Sequence, residues 1–117
     1  DIGYQVITME EYKELGHEKC SKMILDRLGD NPIYVTFDLD CLDPTVAPGV
    51  ANIESAFRGF NMDEVRKLLQ SLKGRNVIGG DVACLMPTKD SPNNITSMVA
   101  AAVMFEIICL ISVNLKK

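Results

Sequence analysis

The stretch Ile33–Val50, IYVTFDLDCLDPTVAPGV, decides how this chain is read. Ile33, Tyr34, Val35, Thr36 and Phe37 are all β-branched or aromatic, which suits a strand. Asp38, Asp40 and Asp43 follow at once, and then the turn formers Pro44, Pro48 and Gly49. An unpaired charge inside a strand is costly, whereas acids at a strand end that faces a cleft are placed to bind something. Asp38 and Asp40 stand two apart, so they share a face for as long as strand geometry persists. Carboxylates in that arrangement suit one or two hard or borderline cations such as Mg²⁺ or Mn²⁺. In open α/β sheets, ligands bind beyond the carboxyl ends of the strands, where these acids fall. The competing role for both is capping of loop amides. Asp43 precedes proline, and Asp-Pro opens turns, so it reads as loop structure.

Working outward, Thr8-Met9-Glu10-Glu11 carries a capping box. It predicts a helix to about Leu28, with Tyr12, Leu15, Met23 and Leu28 on its core face. Gly16 weakens the middle, and Gly29 with Asn31-Pro32 ends it. Tyr4–Ile7, ahead of it, reads as a short strand. A second box, Asn61 with Glu64, opens a helix whose stripe is Val65, Leu68, Leu69 and Leu72, stopped by Gly74. Residues 76–82, NVIGGDV, read as a strand with close backbone packing at the paired glycines. A polar loop runs from Met86 to Asn94, and a last helix from about Thr96 to about Ser112. The 38–61 connection is long and aperiodic, as active-site loops often are.

Both faces of Ile33–Phe37 look apolar, as in a strand covered on two sides by helices. The order of elements predicts α/β architecture: a three-layer parallel sheet flanked by helices. Three strands and a final helix that is apolar nearly all round leave the piece underclad. The expectation is therefore that residues 1–117 form the C-terminal portion of a larger single α/β domain.

At 117 residues and 47% hydrophobic, the chain can build one core and one domain at most. A net charge of −4 gives no basic footprint for nucleic acid. Cys20, Cys41, Cys84 and Cys109 are widely spaced and His17 is the only histidine, so zinc-finger spacing is absent. Free thiols and no signal peptide fit a reducing compartment, the cytoplasm or mitochondrial matrix. The apolar segment Ile95–Leu115 has Glu106 near its middle, which favours a buried or interface helix over a membrane span. Asp81 ends a strand and reads as a supporting or structural acid. Cys84 is a candidate to reach the same cleft, but a lone thiol is a weak nucleophile candidate. His17 reads as a surface or packing residue. A phosphoryl-transfer Mg²⁺ module would want a supporting lysine, and nothing fixes the position of Lys89.

FDLDCLDPTVAPGV resembles the second metal-binding signature of the ureohydrolase family, which includes arginase and agmatinase. That pattern is roughly S-F-D-x-D-x-x-D-P-x-x-x-P-G, with Thr36 standing here for the usual serine. VIGGDV, MPTKD and the helix from Ile95 to Ile108 extend the resemblance over nearly the whole chain. GYQVITMEEYKELG and MVAAAVMFEIICLI are closest in feel to the agmatinase or guanidinobutyrase branch.

The resemblance implies an arginase-like fold. It also implies manganese-dependent hydrolysis of a small guanidino substrate, agmatine-like, to an amine and urea, as in polyamine biosynthesis. Two Mn²⁺ ions would hold the attacking hydroxide. Asp38 would bridge them, Asp40 would ligate one, and Glu64 would receive the guanidinium, with Asp63 as fallback. A homo-oligomer, trimer or hexamer, is implied as well.

Three departures stand out. The family's Asp-x-His-x-Asp motif and its separate histidine are not in this chain. VANIESAFRGF replaces the usual tight glycine loop, with Phe57 and Arg58 bulky where glycine is expected. Val82-Ala83-Cys84 stands where a Val-Val-Glu run is usual. The resemblance therefore leaves two outcomes open: part of a complete hydrolase that is inactive alone, or a non-catalytic relative acting as a binding or regulatory partner.

Overall fold

The computed structural model describes residues 2–117. The chain runs α1 (Met9–Leu15), α2 (His17–Leu28), β1 (Ile33–Asp38), α3 (Met62–Gln70), β2 (Val77–Ala83) and α4 (Ile95–Leu115). Among the described residues the sheet has two strands, paired in parallel, with Thr36 opposite Asp81 and Asp38 opposite Ala83. The helix between them makes the crossover that parallel pairing requires.

Tyr4–Ile7 is not a strand. It pairs with no strand among the described residues, with Tyr4 and Val6 exposed, and a segment without a neighbour has no ladder to join. The expected long first helix is two helices. Both capping bonds of its box form, Glu11 N–H to Thr8 Oγ1 at 3.2 Å and Thr8 N–H to Glu11 Oε2 at 2.7 Å. The helix then breaks at Gly16, whose φ of 85° lies outside helical geometry. Tyr12 is buried, edge-on to Phe60 at a ring separation of 5.2 Å. Leu15 and Met23 are exposed instead of facing the core. After the break the buried face of α2 is carried by Cys20 and Ser21, with Ile24, Leu25 and Leu28 packed against the core.

β1 alternates strictly. Ile33, Val35 and Phe37 turn toward the helices, while Tyr34, Thr36 and Asp38 are exposed. The expectation of a strand covered on both faces is thus corrected among the described residues: helices cover one face and the other is open. The open face is partly polar. Asp81 accepts from Thr36 Oγ1 at 2.8 Å and from the Tyr34 hydroxyl at 3.0 Å. On the covered face α4 lies close, because Gly80 has no side chain. A Cβ there would stand 2.6 Å from the Val35 carbonyl oxygen and 2.7 Å from Ile107 Cγ2. The core is built from Leu39 and Leu42 of the loop, Val65 and Leu69 of α3, Val77 of β2, and Val103 and Ile107 of α4.

α4 runs longer than the sequence suggests, starting at Ile95 and ending at Leu115. Among the described residues it is the one helix long and apolar enough to cross a membrane, with a mean hydropathy of 2.2. Its one acid is satisfied within the fold: Glu106 accepts from Arg66 Nε at 3.0 Å and from Gln70 on α3. The first turn of α4 is held by Asp90, which accepts from the Thr96 and Ser97 amides at 2.9 Å each and from Ser97 Oγ at 2.8 Å. Burial pushes the Asp90 carboxyl up, but these donors outweigh it and hold it well below the usual carboxylate range. Thr96 is fully buried, and its Oγ1 accepts the Gly49 amide at 2.8 Å. The long loop after β1 is thereby tied to α4.

Candidate metal centre

β1 ends at Asp38, and the chain then tightens into a 3-10 turn, Leu39–Cys41. A shared strand face for Asp38 and Asp40 requires strand geometry to persist through Asp40. The structure instead turns the chain inward at fully buried Leu39, and both carboxylates still line one cleft. The capping role is real as well, since Asp38 Oδ1 accepts the Asp40 amide at 3.0 Å. One carboxylate oxygen thus braces the turn that presents the next carboxylate.

Asp40 is differently placed. Its Oδ1 is buried and has no hydrogen-bond partner. Burial raises its pKa first, and the nearby charges of Asp38 and Glu54 raise it further. A buried oxygen without a donor costs free energy, and a cation would relieve both the missing partner and the crowding of like charges. The residues present fit a divalent cation on that ground.

Asp43 takes the loop role its Asp-Pro context predicts. It accepts from Thr45 N–H at 3.0 Å and Thr45 Oγ1 at 2.6 Å, and these bonds lower its pKa. Glu64 lies elsewhere. It accepts the Asn61 amide at 3.1 Å, closing the capping box of α3, and binds Lys13 Nζ at 2.7 Å. Glu64 is not among the residues lining the cleft, and the neighbouring Asp63 pairs with Lys67 at 2.8 Å.

Cys84 is the residue that sequence reasoning undervalued. One carboxylate oxygen each from Asp38 and Asp40 and the Cys84 sulfur lie within 4.8 Å of one another. The pairing of Asp38 with Ala83 explains it, because residue 84 then emerges beside the end of β1. The hydrogen bond to Asp38, then burial, then the Asp38 and Asp40 charges push the thiol up to about 11. Asp81 does not end its strand as the sequence suggests: β2 continues to Ala83, and Asp81 bonds Thr36 and Tyr34 on the open face instead. His17 sits on α2 with its Nε2 3.4 Å from Ser21 Oγ.

The cleft has a volume of about 770 Å³ and is lined by Met9, Glu10, Asp38, Asp40, Cys41, Glu54, Ser55, Ala56, Arg58, Gly59 and Phe60. Four acids face one arginine, so the field favours cations. Arg58 Nη1 lies 3.6 Å from Glu10 Oε1. Ala56 and Phe57 hold φ values of 47° and 63°, unusual for residues with side chains. The close approach expected of a glycine loop is made one residue later: a Cβ on Gly59 would lie 2.5 Å from the Asp43 nitrogen. Phe57 itself is exposed and leaves the cleft open.

Known proteins resemble this chain over nearly its whole length. The chain is 37% identical over 112 residues to a guanidinopropionase from Pseudomonas aeruginosa, covering 96% of this chain and 34% of that protein. It is 33% identical over 110 residues to an agmatinase from Photorhabdus laumondii, covering 94% of this chain and 35% of the relative. The solved structure of proclavaminate amidino hydrolase from Streptomyces clavuligerus superimposes with a TM-score of 0.88 at 30% identity. That match covers 96% of this chain and 37% of the other. The chain therefore spans about a third of the length of these relatives. The family model described as Arginase family matches residues 1–110. On fold and sequence alike, this chain belongs to the arginase family.

Proposed function

We propose that the protein containing this chain hydrolyses a small guanidino compound, agmatine-like, to an amine and urea, with manganese at the Asp38–Asp40 end of the cleft. The observation that carries this reading is the buried, unpartnered Asp40 Oδ1 beside Asp38 at the carboxyl end of β1. When bound, the metal pair supplies a water acidified enough to attack at neutral pH. The chain's own residues hold and orient. Asp38 and Asp40 supply ligand oxygens, and Asp38 also fixes the turn that aims Asp40. Glu10 and Glu54 line the cleft with them and favour a cationic guanidinium over a neutral or anionic group. Glu64 would have to leave Asn61 and Lys13 to reach that cleft, so Glu54 is the better-placed acid in this fold.

The test is urea release from agmatine, 4-guanidinobutyrate and arginine by the full-length protein with Mn²⁺. Turnover is expected with a substrate that lacks the α-carboxylate. The Glu54→Gln variant is expected to raise KM more than it lowers kcat. Absence of urea from every guanidino compound would sink the hydrolase reading. A second reading, a non-catalytic relative, is favoured by one observation: among the described residues the acid cluster contains two carboxylates, one thiol and no histidine. Metal-independent binding of a guanidino compound without turnover would support it.

A further inference from the structure

We propose that Cys84 is itself a cation ligand, so that this end of the cleft offers two carboxylates and one thiolate and accepts thiophilic divalent metals as well as manganese. The inference rests on reading Asp38 and Asp40 as metal ligands.

Three segments converge on the point. Asp38 is the last residue of β1, Asp40 sits in the 3-10 turn after it, and Cys84 directly follows β2. Parallel pairing of Asp38 with Ala83 brings the two strand ends side by side. Cys84 then leaves the ladder with a φ of 71°, a region that residues with a side chain rarely enter. That turn keeps its sulfur with the two acids, where their ligand atoms all lie within 4.8 Å. Oxygen and sulfur bound to one zinc-sized ion, at about 2.0–2.2 Å and about 2.3 Å, stand at most about 4.5 Å apart.

The buried, unpartnered Asp40 Oδ1 gives the cluster an oxygen that no donor in the fold satisfies. The other thiols lie outside the cluster, although Cys41 also lines the cleft. Cys20 is buried on α2, Cys41 is packed against the core, and Cys109 lies on α4. None of them joins the acid cluster. Hard oxygen ligands alone suit Mn²⁺ and Mg²⁺, whereas a thiolate shifts preference toward Zn²⁺ and Co²⁺.

The experiment is a Co²⁺ titration of the full chain followed by absorption. It compares the unmodified chain, C84S, and a triple variant (C20S, C41S and C109S) that keeps Cys84 alone. The unmodified chain and the triple variant are expected to show a near-ultraviolet thiolate-to-cobalt band that C84S lacks. C84S is also expected to lose about 10–100-fold in Co²⁺ or Zn²⁺ affinity, with a smaller loss for Mn²⁺. In the triple variant, Zn²⁺ is expected to slow alkylation of Cys84, a readout that does not depend on C84S folding. Cobalt bound with visible bands but no thiolate band overturns the role of Cys84 and leaves the carboxylate reading standing. A thiolate band that survives in C84S overturns it equally. No binding of either Co²⁺ or Mn²⁺ removes the Asp38–Asp40 reading together with it.

Discussion

Asp40 carries a conflict that a bound cation would resolve. Folding buries one of its oxygens without a partner and sets it near Asp38 and Glu54. A protein selected for stability alone would not keep that arrangement, and such trade-offs gather at functional sites. Asp40→Asn is therefore expected to raise the urea midpoint of the metal-free chain while lowering Mn²⁺ affinity at least about 100-fold. Equilibrium unfolding and metal analysis after dialysis check the two halves separately. A lower midpoint together with unchanged manganese would refute the assignment.

At this scale the sequence was legible where spacing alone carries information. Asp38 and Asp40 stood out because two acids cannot follow a β-branched run without a reason. Cys84 did not stand out, because its place depends on which residue of β1 faces Ala83, and that register is a tertiary fact. Glu64 is a guanidinium candidate through the resemblance alone, whereas its capping pattern with Asn61 is legible in the residues themselves and forms in the fold.

Among the elements, local chemistry was readable and partnership was not. Both capping boxes form as their four-residue patterns require. Tyr4–Ile7 has the composition of a strand, but a strand is made by its neighbour. Gly16 was legible as a weak point, and the fold uses it as a full break between α1 and α2.

The first turn of α4 has a clear electrostatic dependence. Asp90 holds its proton less tightly in the folded chain than in the unfolded one, because the Thr96 and Ser97 donors favour the charged form. Its contribution is therefore present above the ordinary carboxylate pKa and is lost as pH falls through the lower folded value. Asp90→Asn is expected to lower the unfolding midpoint at neutral pH, with the gap to the parent narrowing toward strong acid. Denaturation series at neutral and acidic pH measure this. A gap that widened in acid would rule out Asp90 as the anchor.

For the whole molecule, the α/β class followed from element order, whereas which face of β1 the described residues leave open did not. Periodicity in Ile33–Phe37 looks apolar throughout, because Tyr34 and Thr36 are as strand-like as Val35. Only the pleat separates the covered face from the open one. α4 reads as apolar all round, and the fold covers just part of it. Met98, Phe105, Ile108 and Leu115 remain exposed. Apolar surface of this kind drives association. The chain is expected to sediment as a concentration-dependent oligomer, and the paired changes Met98→Glu and Phe105→Glu to shift it toward a 12.9 kDa monomer. Identical sedimentation of parent and variant would place association elsewhere.

One side chain gives the cleft a built-in competitor. Arg58 lines the same walls as Asp38, Asp40 and Glu54, and its guanidinium reaches Glu10. The chain thus tethers, inside its own cleft, the functional group that a guanidino ligand would bring. A guest entering at Glu10 would exchange one guanidinium for another, and the exposed ion pair it displaces holds Arg58 only weakly. Arg58 would then behave as a resident stand-in, keeping an acid-rich cleft partly neutralised until a diffusing molecule of the same chemistry takes its place.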